Sequence, residues 1–66
     1  MENYLIGESY QIKINYFPEI PIKSYKFIGK ILKYGSYHYT FESVDNPLQK
    51  LIIIQFMLEQ QTIVVY

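Results

Sequence analysis

The chain has no cysteine, no tryptophan, no arginine and no alanine, and it has a single histidine among its 66 residues. Without cysteine no disulfide can staple so short a chain. One histidine and six scattered acids cannot easily supply four clustered ligands, so no structural metal is expected, and with no family motif matched no cofactor is expected either. Stability must come from packing. At an ordering cost of roughly 1.5 kcal/mol per residue, on the order of 100 kcal/mol has to be offset, mostly by apolar burial at about 25 cal/mol/Å². Half of the residues are apolar and 18% are aromatic, which is rich enough to attempt it. The size fits one domain over residues 1–66, and a second copy covering a further face would add what a small core lacks.

Charge of one sign is also missing. Six lysines balance six acids, so no global field draws the chain to nucleic acid or a membrane. Locally the balance breaks, because the window from Ile20 to Phe41 holds Lys23, Lys26, Lys30 and Lys33 and no acid. No run approaches the length of a membrane span, and MENYLIGESY lacks the basic start and apolar stretch of a signal peptide. The expectation is a cytoplasmic protein without a membrane partner. Alanine and arginine use GC-rich codons, whereas the eleven isoleucines, eight tyrosines and six lysines use AT-rich ones. A small phage, viral or mobile-element gene from an AT-rich genome fits, placing the product in a host cytoplasm.

What is present reads as strands. Ser9 to Phe17 alternates, with Tyr10, Ile12, Ile14 and Tyr16 on one face and Gln11, Lys13 and Asn15 on the other. Pro18 and Pro21 then force a loop, from which Ile20 and Ile22 are expected to fold back onto the core. Gly35-Ser36 suits a two-residue hairpin turn, pairing Tyr34 with Tyr37, Leu32 with Tyr39 and Lys30 with Phe41 on an aromatic side. Lys33 with His38 and Ile31 with Thr40 take the other side. Gly29 is the expected place for a bulge, which would switch phase and bring Tyr25 and Phe27 to the aromatic side.

The segment DNPLQKLIIIQFMLEQQ carries two signals. Asp45-Asn46-Pro47 can open a helix, but three consecutive isoleucines favour a strand, and the strand is the reading taken. Glu59-Gln60-Gln61 then makes a tight connection to a last strand, Thr62 to Tyr66. Five short strands in series resemble, in architecture alone, a small antiparallel SH3-like barrel, so the fold class is all-β. A β-sheet with one helix at about 47–60 is the alternative.

Catalysis is not expected. His38 has no cysteine, paired carboxylate or second histidine beside it, and no positioned base marks Ser24, Ser36 or Ser43 as a nucleophile. Binding is the better expectation, and the candidate residues are Tyr25, Lys26, Lys30 and Lys33 with Tyr34, Tyr37, His38 and Tyr39. Aromatic strands flanked by lysines are how small barrels hold single-stranded nucleic acid, and KYGSYHYTF resembles the aromatic strands of cold-shock domains. The alternative is that tyrosine and phenylalanine build the core.

The leading expectation is a protein-binding module that engages or inhibits a host protein. In LIIIQFML, Ile52, Ile54 and Phe56 share one face and Leu51 and Ile53 the other, and a strand apolar on both sides needs cover on both. The final strand has the same property. Ile63 and Val65 face one way, Val64 and Tyr66 the other, and at a sheet edge these four would join copies into a homo-oligomer. A small-ligand sequestering oligomer, with tyrosines lining the subunit interface, is a further alternative.

Overall fold

In the computed structural model, which describes residues 3–66, the strands are β1 (Ser9–Ile14), β2 (Lys23–Lys33), β3 (Ser36–Ser43), β4 (Lys50–Ile54) and β5 (Ile63–Val65), and a short helix α1 (Gln55–Glu59) precedes β5. They form one antiparallel sheet in the order β4-β3-β2-β1-β5. The two outermost strands, β4 and β5, do not pair, so the sheet is not closed. The SH3-like expectation is met only as far as five antiparallel strands.

The β2–β3 hairpin turns one residue earlier than the glycine-first reading expects. Lys33 pairs with Ser36, leaving Tyr34 and Gly35 as the central residues at φ 53° and 76°. Two successive positive φ angles define a type I′ turn, whose twist matches the strands it joins and whose second position suits glycine. The observed pairs are therefore Leu32 with Tyr37, Ile31 with His38 and Lys30 with Tyr39. Moving a turn by one residue shifts the cross-strand pairing by two, and side chains alternate with period two. The two faces thus keep the membership that the sequence indicates.

Gly29 sits at the bulge. The register slips between Phe27 and Gly29, and Gly29 has a φ of 152°. The extra residue lets Tyr25 and Phe27 on one side of the slip, and Lys30 and Leu32 on the other, lie on the same side of β2. Tyr25 and Phe27 are consequently buried with Tyr39 and Phe41.

From Asp45 onward the chain is a loop, then a strand, then a short helix, so the strand reading holds for the isoleucines while the Asp45-Asn46-Pro47 signal opens no helix. Asp45 to Gln49 forms the loop, tied by the Asn46 N–H donating to Ser43 Oγ and the Leu48 N–H donating to Asn46 Oδ1. The isoleucines then form β4, and the chain coils only at Gln55, for five residues. No side chain caps α1, and Gln61 at φ 58° ends it with its N–H donating to Leu58 O. So short a helix depends on packing, which buried Leu58 supplies.

The core gathers Ile12, Tyr25, Phe27, Tyr39, Phe41, Ile53, Leu58 and Ile63 on the inner side of the sheet. Tyr4 closes it, with its ring 5.2 Å from Tyr10, 5.6 Å from Phe27 and 5.5 Å from both Tyr39 and Phe41, mostly edge-on. Tyr16 falls beyond β1 and is exposed. Ile20 and Ile22 are exposed too, against expectation, because the core is completed by strand and helix residues without them.

Candidate interaction surface

The register assigns side chains to the outer face of β2, β3 and β4 in rows. One row joins Ile31, His38 and Ile54, the next joins Gly29, Thr40 and Ile52, and a third joins Lys26, Glu42 and Lys50. Ile31 and Ile52 are 59% and 57% exposed, and Ile54 is half-buried. The first two rows are thus an open apolar surface, and the third is charged.

The charged row is internally matched. Lys50 Nζ donates to Glu42 Oε1 at 2.9 Å and to the Pro47 carbonyl at 2.6 Å, and Lys26 Nζ lies 3.6 Å from Glu42 Oε2. The hydrogen bond from Lys50 is the main cause holding the Glu42 carboxyl below the ordinary carboxylate range, the charges of Lys50 and Lys26 add to it, and burial opposes them. In the apolar row, His38 Nδ1 is 3.1 Å from the Ser36 carbonyl. A carbonyl only accepts, so in this contact Nδ1 is the donor.

The residues of the aromatic and basic window are divided between two faces. Tyr25 and Tyr39 are core, Tyr37 lies beside them at the margin, and Lys30 Nζ sits 4.6 Å from the centroid of the Tyr37 ring. Lys26, Lys33 and His38 point to the opposite side, with Lys26 held by Glu42. Tyr34 stands at the hairpin tip, 90% exposed, with Lys33 Nζ 5.3 Å from its ring centroid. Of the four residues expected at a subunit interface, Ile63 is only 2% exposed, Val64 and Val65 are half-buried, and Tyr66 is exposed.

Two features escape the sequence reading. Ile31 stands beside lysines in a half-polar register, so its membership in an apolar patch emerges only when β4 brings Ile54 to the far side of His38. Tyr4 precedes every strand and shows no alternation that would place it. With Asn3 and Ile6 it forms one wall of a cleft of about 270 Å³, whose other wall is Phe27, Gly29, Lys30 and Tyr39. That volume lies below the usual range for small-molecule sites, roughly 300–1,000 Å³.

Among the described residues, no three histidine, aspartate or glutamate side chains are grouped to hold a metal ion, and no helix is long and apolar enough to cross a membrane. Compared with protein-family models, curated proteins and solved structures, the chain matches none.

Proposed function

We propose that the protein is a non-catalytic binding module that engages another protein through the outer face of β2, β3 and β4. The observation that carries this is that Ile31, Ile54 and Ile52, two of them more than half exposed, flank His38 and Thr40 in adjoining rows of one face. Single exposed apolar residues need no explanation, but adjoining rows on a sheet face mark a surface that is covered in use. The scaffold is an opened SH3-like arrangement. With the AT-rich coding bias, the role we favour is a phage or mobile-element accessory protein acting on a host protein in the host cytoplasm.

The competing reading is a single-stranded nucleic-acid site on residues 23–41. Stacking platforms need exposed rings beside lysines on one face, and here the rings are largely core while the lysines are split between faces. A capture experiment with three forms of the chain separates the readings. Wild type should retain a host protein, Ile31→Lys with Ile54→Lys should lose it, and Lys30→Gln with Lys33→Gln should keep it. Capture unaffected by the isoleucine changes would reject the outer face as the binding surface.

A further inference from the structure

We infer that β4 is a pairing edge for a second copy of the chain, joined antiparallel about Ile52. The inference deepens the binding role by naming one occupant of the edge of the same face, and it starts from where the backbone groups point. The Ser43 N–H donates to Gln49 O, and bonded pairs alternate along an antiparallel ladder, so Leu51 and Ile53 bond to β3 through Phe41 and Tyr39. Ile52 therefore directs its N–H and C=O away from β3, toward the open edge. Among the described residues none bonds to them.

Among the described residues the sheet has two other unpaired edges, and both are guarded. On β5 the bonds of Asn15 and Tyr66 with Thr62 and Gln11 turn the groups of Ile63 outward, but Ile63 is only 2% exposed and the strand is three residues long. The far half of β2 runs past the end of β1, which pairs only with Lys23 to Lys26, and its free edge is flanked by Lys30 and Lys33. Short length and lysines are the usual protections against edge pairing. Only β4 has neither at its centre. Its one lysine, Lys50, has its ammonium drawn to Glu42 on the neighbouring strand and to Pro47.

The edge is complementary to itself. A two-fold axis at Ile52 pairs Ile52 with its own copy and Lys50 with Ile54, uses all five residues of β4, and merges the apolar rows of the two outer faces. The same register keeps the two copies of Lys50 four residues apart, about 13 Å along the strand. It also places Leu48, 91% exposed, at the end where the other copy carries Phe56, 62% exposed. A stable interface buries roughly 800 Å² per partner, about a sixth of the 4728 Å² that this chain exposes. A five-residue edge with two flanking side chains falls short of that, so a dissociation constant in the micromolar range is expected.

The absence of cysteine makes the register directly testable, since directly opposed residues of a bonded antiparallel pair lie about 5.5 Å apart between Cα atoms, within disulfide reach. Under mild oxidation, Ile52→Cys should form a covalent dimer and Ile31→Cys should not. By sedimentation equilibrium at about 100 μM the wild-type chain should be dimeric, and Ile52→Pro, which removes the outward N–H without touching the ladder to β3, should weaken association at least tenfold while leaving the circular dichroism unchanged. If Ile52→Pro fails to fold, Ile52→Lys, a charge on an exposed side chain, takes its place with the same expected loss. A folded wild-type monomer at that concentration, or a dimer indifferent to position 52, would overturn the inference. Capture of a host protein by that monomer would still leave the binding role standing.

Discussion

Tyr34 holds a left-handed backbone conformation that costs a non-glycine residue roughly 1–2 kcal/mol, and its exposed ring recovers only about 0.5 kcal/mol through Lys33. Asparagine tolerates this conformation and is the preferred partner of glycine in a type I′ turn. Tyr34→Asn should therefore raise stability by roughly 0.5–1 kcal/mol in urea unfolding, and Gly35→Val should lower it by about 1 kcal/mol or more. At Glu42 the effect depends on pH. Its carboxyl is held below the ordinary range in the folded chain, so the stability it contributes is present above the unfolded-state value and is lost as pH falls through the folded one. The urea midpoint should drop on acidification below the ordinary carboxylate range. Glu42→Gln should lack that part of the drop.

Among the elements, β4 concentrates the tension between fold and function. Ile53 is fully buried and Ile52 is more than half exposed, one residue apart in a run of identical side chains. Ile53→Ala should cost about 2–5 kcal/mol, as in other large-to-small core changes. Ile52→Ala should stay within roughly 0.5 kcal/mol, the scale of surface substitutions. The same run shows how far a sequence can be read. Alternation and turn chemistry place β1, the β2–β3 hairpin to within one residue of its turn, and the bulge at Gly29, because those signals are local and period two fixes the faces. Which of two apolar faces is inner in β4 depends on which one meets Phe41 and Tyr39 across the sheet. Where the strand yields to α1 depends on the burial of Leu58. Both are long-range facts that no window of sequence contains.

At the scale of the whole molecule, the open sheet leaves Ile31 and Ile52 exposed on its outer face. Its inner side is closed by aromatic rings and Tyr4, so β4 cannot turn its outer face inward without giving up the core that Ile53 completes. Under the protein-binding proposal the lysines of the hairpin serve only to solvate the arm. If they instead hold nucleic acid, binding to a single-stranded oligomer should appear at low salt, fall steeply as salt rises, and weaken when Lys26, Lys30 and Lys33 are changed to glutamine. We expect no such binding in a fluorescence anisotropy titration.

The most direct test of the open sheet and its available edge is amide hydrogen exchange at Ile52, followed by NMR as a function of protein concentration with the Ile53 amide as reference. The open edge predicts rapid exchange at Ile52 in dilute solution, protection there as the concentration rises into the range of self-pairing, and protection at Ile53 throughout. Strong protection of Ile52 at every dilution would mean that the edge is closed within one chain, and rapid exchange at every concentration would mean that no second copy pairs with it.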